Sequence, residues 1–168
     1  MRLGTLLVTS ALVGGAFTAN GDAAARLGHE QLRCVPARAN AKITASWAGA
    51  GQVTMARVYF RAEGAKEESF LELRRTAAPN GYWAVLPVPA PEVSSVSYRV
   101  VFKDADGRVA STPPAEVPVL AACPAPLTED EVAYARNLVV GQTSVAQASV
   151  PTGFSCAGVV AAIAANGD

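Results

Sequence analysis

The sequence predicts an all-β fold: a seven-stranded sandwich followed by a short C-terminal helix and an irregular tail. Three observations carry this. Between His29 and Leu120, short runs rich in Val, Tyr, Phe, Trp and Thr are separated by turn residues at intervals of roughly eight to twelve positions. Within those runs apolar and polar residues alternate with period two, as half-buried strands require. After Cys123 the texture changes to one helical segment and then to small apolar residues without a clear period.

The chain opens on MRLGTLLVTSALVGGAF, one Arg followed by an apolar stretch too short to span a bilayer and then small residues. This is the pattern of a secretory signal. Ala23-Ala24-Ala25 is the best small-x-small cleavage site, which assigns residues 1–25 to the signal and starts the mature chain near Arg26. A lipoprotein would need a Cys directly after the apolar region, but the first is Cys34. No later segment is long enough to cross a membrane, so the expected location is periplasmic or secreted, with no transmembrane segment in the mature chain.

The strands are read at residues 30–35, 41–47, 53–61, 69–75, 82–86, 96–103 and 108–120, and together with their turns they make up a sandwich over residues 26–122. In the third, Ala56, Val58 and Phe60 point inward while Arg57, Tyr59 and Arg61 point outward. In the fifth, Asn80-Gly81 turns the chain and alternation sends Tyr82, Ala84 and Leu86 inward. Trp83 is left facing out. The preferred reading has the C-terminal helix and tail cover it; the alternative leaves it open to a partner. The sixth points Val96, Tyr98, Val100 and Phe102 inward and Ser97, Arg99, Val101 and Lys103 outward. Tyr98 stands where sandwich domains often place a tyrosine whose hydroxyl bonds to nearby backbone. Asp106-Gly107 is read as a hairpin turn rather than the start of a calcium loop, because Arg108 and Val109 occupy positions where further oxygen ligands would be needed. The seventh run is interrupted by Pro113-Pro114 and Pro118, which places it at an edge or a bulge.

Residues 123–168 form the C-terminal extension. Thr128 lies three residues before Glu131, a capping-box spacing, and predicts a helix over about 128–140 ended by Gly141. Val132, Ala135, Leu138 and Val139 would share its apolar face.

Fourteen Lys and Arg balance fourteen Asp and Glu, and the basic residues are scattered, so no nucleic-acid partner is expected. Metal-ligand spacing is absent as well: the three cysteines are far apart and His29 is the only histidine. In an oxidising compartment two of Cys34, Cys123 and Cys156 pair and one is left over. Neither cofactor nor catalytic group is assigned. GFSCAG lacks the second glycine of a nucleophile elbow, with Ala157 in its place, and a Cys156 nucleophile would depend on the distant His29 as base.

The order ARVYFRAEG, GYWAVLPVP and VSYRVVFKDADGR resembles the immunoglobulin-like or fibronectin type III-like modules of exported bacterial proteins, over roughly residues 30–120. The resemblance implies a non-catalytic spacer, scaffold or binding unit. It implies, too, that the first and last strands run side by side, favouring a Cys34 to Cys123 disulfide and a free thiol at Cys156; the rival pairing joins Cys123 to Cys156. Finally, it makes the third and sixth strands neighbours, so Arg57, Tyr59, Arg61, Arg99 and Lys103 share one outward face. That face and Trp83 are the candidate binding residues, set against the favoured reading of the face as an ordinary solvated sheet surface balanced by nearby glutamates. The leading expectation is a structural or protein-interaction module of the cell envelope. The alternative is a carbohydrate-binding accessory protein using the basic, aromatic face against a polysaccharide.

Overall fold

Two long strands set the frame, β3 (Ala41–Ala48) and β4 (Val53–Ala62), and each buries every second side chain, β4 from Ala56 onward. In β3 the buried set is Ala41, Ile43, Ala45 and Trp47; in β4 it is Ala56, Val58, Phe60 and Ala62. Period-two burial forces each strand to lay one face on a core, and the two faces meet. The computed structural model describes residues 26–124, 126–143 and 149–164, so the expected signal and its cleavage site lie outside the described residues.

The chain is mostly β, in two sheets with one short helix. The smaller sheet joins β1 (Arg26–His29), β3, β7 (Gly81–Leu86) and β6 (Arg74–Arg75). The larger runs β12 (Val159–Ala164), β11 (Leu138–Gln142), β5 (Ser69–Glu72), β4, β8 (Ser95–Asp104), β10 (Ala115–Leu120) and β2 (Val35–Pro36), with β9 (Val109–Ser111) paired to β8. Between the sheets Trp47 stacks on Phe102 at 5.5 Å, and Tyr82 meets the same ring edge-on at 4.9 Å. These contacts bind the sheets through one core.

The count of seven strands is corrected to twelve among the described residues: two runs switch sheets, one is split by prolines, and the C-terminal extension adds two. The strand expected at 30–35 is instead β1, paired with β3, and β2, paired in parallel with β10. Between them the chain crosses from one sheet to the other, and the Leu32 N–H donates to the Tyr98 hydroxyl at 2.8 Å. The run at 69–75 divides likewise into β5 and β6, and at the crossing the Leu73 N–H donates to the Ala56 carbonyl at 2.8 Å. Pro113-Pro114 separates β9 from β10, since neither proline can donate to a ladder.

The two turns read from sequence form. Asn80 takes φ +61° before β7, and Gly107 takes φ +78° between β8 and β9. Asp104 Oδ1 accepts the N–H groups of Asp106 and Arg108, which fixes that hairpin.

The helix expected at 128–140 is corrected to α1 (Glu129–Ala135). Its capping box is present: the Glu131 N–H donates to the Thr128 hydroxyl, and the Thr128 N–H donates to Glu131 Oε2. Beyond Ala135 the sequence Leu-Val-Val-Gly-Gln extends as β11, antiparallel to β5 and parallel to β12. The proposed helical face therefore does not exist: Ala135 and Leu138 are buried, but Val132 and Val139 are exposed. Nor is the tail wholly irregular. Besides contributing β12, it buries Phe154 edge-on against Phe60 at 5.1 Å, while the Ser155 N–H donates to the Val88 carbonyl at 2.8 Å.

Cys34 and Cys123 form a disulfide with Cα atoms 5.9 Å apart, just outside the β2–β10 pairing, and Cys156 is free and exposed. The rival Cys123 to Cys156 pairing is excluded.

Candidate binding surface

Strand pairing puts Arg57, Tyr59 and Arg99 on neighbouring rungs of the larger sheet's outer face. Tyr59 stands opposite Arg99 on one side and Phe70 on the other, and Arg57 stands opposite Val101 and Glu72. The side chains interlock. The Arg99 guanidinium lies 4.4 Å from the Tyr59 ring centre, and the Arg57 guanidinium 4.2 Å from that of Phe70. The two rings are 5.7 Å apart, so the four residues form a continuous cation-aromatic row.

Both guanidiniums also hold carboxylates. Arg57 Nε is 2.6 Å from Glu72 Oε1, and Arg99 Nη2 is 2.8 Å from Glu68 Oε2. Burial by itself disfavours the Arg57 cation, but the Glu72 carboxylate and the Tyr59 hydroxyl outweigh it and raise its pKa above the ordinary arginine value. Half-exposed pairs of this kind add little stability, at most about 1 kcal/mol each, but they immobilise the side chains. The row is assembled before any partner arrives.

Phe70 is nevertheless buried, because β11 brings Gly141 directly opposite it. A Cβ at Gly141 would lie only 2.1 Å from Phe70 Cζ. Phe70, Glu68 and Glu72 were not among the sequence candidates. Period two in Ser-Phe-Leu-Glu-Leu, with Leu71 and Leu73 inward, is the signal that puts Phe70 and Glu72 on the outer face.

The other candidates stand apart. Arg61 and Lys103 lie on the same face, toward opposite ends of the row, opposite Ser97 and Met55, and both are exposed. Among the described residues neither takes an ion pair. Trp83 belongs to the smaller sheet, where the Tyr134 ring of α1 meets it edge-on at 5.1 Å and the Arg74 guanidinium reaches both rings. It is partly covered by the helix and is not an open platform. Lys42 of the same sheet binds Glu131 of α1 at 2.5 Å. Burial disfavours the Glu131 carboxylate, yet Lys42 and the Thr128 N–H outweigh it and hold its pKa below the ordinary 4.5.

His29 is fully engaged as well. Its Nδ1 is 2.7 Å from the Thr44 carbonyl, so that nitrogen donates; its Nε2, 2.9 Å away, then accepts from the Tyr98 hydroxyl. Burial pushes the Tyr98 pKa above its ordinary value of 10.0. Tyr98 bonds backbone as anticipated, but its partner Leu32 is 66 residues distant in sequence rather than nearby. Among the described residues no cluster of His, Cys, Asp or Glu could hold a metal ion, and no helix is long and apolar enough to cross a membrane. No protein-family profile matches the chain, and no curated protein is detectably similar to it.

Proposed function

We propose that the protein is a non-catalytic, exported module of the cell envelope, of immunoglobulin-like or fibronectin type III-like build, that joins other envelope proteins through the outer face of β4, β5 and β8. What supports the reading is the interlocked row Arg99–Tyr59–Phe70–Arg57. Arg and Tyr are enriched among interface anchors, and a row held in place loses little conformational entropy on binding. The disulfide fits an oxidising compartment. A protein partner is favoured over a polysaccharide, since Trp83, the aromatic best suited to stack on sugar, stands on the other sheet and is partly covered by α1.

The test is capture from envelope extract by immobilised wild type and by a Tyr59→Ala/Arg99→Ala variant of unchanged thermal stability. The reading expects a discrete protein retained by the wild type and lost from the variant. Equal retention by both removes the sheet face from the function, and an empty capture removes the interaction reading.

A further inference from the structure

At the end of the molecule where the β3–β4 loop faces the β6–β7 loop, a cavity of about 420 Å³ opens. Trp47, Gly49, Gly51, Arg75, Asn80 and Tyr82 are among the residues lining it. That is room for one or two sugar units. Two buried polar atoms at this end have no hydrogen-bond partner among the described residues: the indole Nε1 of Trp47 and Oδ2 of Asp104. Both residues are 2% exposed.

The two atoms are complementary and lie under one loop. Nε1 can only donate, and Oδ2 of the carboxylate can only accept. Gly49 covers the first and Gly51 the second: a Cβ at Gly49 would lie 2.8 Å from Trp47 Nε1, and one at Gly51 would lie 2.9 Å from Asp104 Oδ2. Side chains at either position would press on these atoms, so the Gly-Ala-Gly loop acts as a thin cover. Arg108 Nη1 lies 3.9 Å from Oδ2, beyond hydrogen-bond reach, while Oδ1 is occupied by the hairpin N–H groups. Native interiors seldom leave such groups unpaired, and each instance calls for an occupant.

The geometry points to a binding site for a single acidic sugar unit, a uronate, reached when the Gly49–Gly51 loop lifts. A sugar carries hydroxyls that both donate and accept, which matches the unpaired donor of Trp47 on the cavity wall and the unpaired acceptor of Asp104 beneath the same loop. Arg75 supplies the preference for acid. Among the described residues it is the one charged residue lining the cavity and takes no ion pair, and it is held over Tyr82 with its guanidinium 6.0 Å from the ring centre. A guanidinium on a cavity rim is suited to grip a carboxylate with two parallel hydrogen bonds. This site lies at the loop end and is independent of the sheet face assigned above, so either can fail alone.

The test is nitrogen-15 NMR of the full chain, following the Trp47 indole signal, which a Trp83→Phe variant distinguishes from that of Trp83. Titration with galacturonate and with glucuronate, to about 50 mM, covers the millimolar affinity of single sugar units. At least one of them should move the Trp47 signal saturably, and Arg75→Ala should weaken that binding about tenfold, the usual scale for losing one charge-assisted contact. Galactose and glucose at equal concentration should act more weakly. No movement with either uronate overturns the site and leaves ordered water as its only occupant. An equal response to the neutral sugars, or to the Arg75→Ala variant, overturns the assignment to an acidic sugar.

Discussion

Replacing both Cys34 and Cys123 by Ser removes the covalent link between β2 and β10 while leaving their parallel pairing to hold alone. That pairing is only two residues long, Val35 with Val119 and Pro36 with Leu120. The bridge closes a loop of sequence separation 89, and the entropy of freeing such a loop in the unfolded chain corresponds to about 4.6 kcal/mol at 25 °C. Residual order in the unfolded ensemble reduces this, so the expected loss is about 2 to 4.5 kcal/mol. For a domain whose whole stability is about 5 to 15 kcal/mol, that is a large share. The assay is urea unfolding followed by Trp fluorescence, where a slope of about 2 kcal/mol per M turns the loss into a midpoint shift of about 1 to 2 M. Reduced wild type should match the double variant, and Cys156→Ser, outside the bridge, should leave the midpoint in place. A loss under about 1 kcal/mol with unchanged slope would refute the loop-entropy account.

Three other outcomes are expected. Gly141→Ala forces a methyl against the Phe70 ring and should cost about 1 to 3 kcal/mol by chemical denaturation, with Phe70→Leu recovering part of it in a double-mutant cycle; additive losses would contradict the contact. Tyr98→Phe strips the hydroxyl that joins Leu32 to His29 and should lower stability by about 1 to 3 kcal/mol, measured the same way. Glu131 has a pKa depressed in the folded state, so its contribution is present above 4.5 and is lost as pH falls through the lower folded value. Stability of the wild type should therefore drop more steeply than that of Glu131→Gln when pH is lowered below 4.5, and parallel curves would remove the Lys42 contact from the account.

Features encoded by residues close in sequence were legible before the structure. Tyr82, Ala84 and Leu86 are buried as alternation requires, the Asp106-Gly107 hairpin forms, and Thr128 and Glu131 cap α1. What escaped was decided by distant partners. Leu138–Gln142 carries apolar residues that fit a helical stripe as well as a strand, and pairing with β5 and β12 settles it as strand. The sheet switches at 30–34 and at Leu73 have no local signature, because both halves of each run are extended. On the outer face, alternation identified Arg57, Tyr59 and Arg99. It could not show that Glu68 and Glu72 come within ion-pair distance of the arginines.

The placement of the bridge also governs how the molecule carries mechanical load. Tension applied between the segment before Cys34 and the segment after Cys123 passes through the sulfur atoms and bypasses every residue between them. The bypassed chain would extend by about 300 Å if released, at about 3.4 Å per residue over the separation of 89. While oxidised, most of the two-sheet core is therefore an inextensible link under pulling, and only the flanking segments, including α1, β11 and β12, can be drawn out. Reduction converts the same core into a reserve of length.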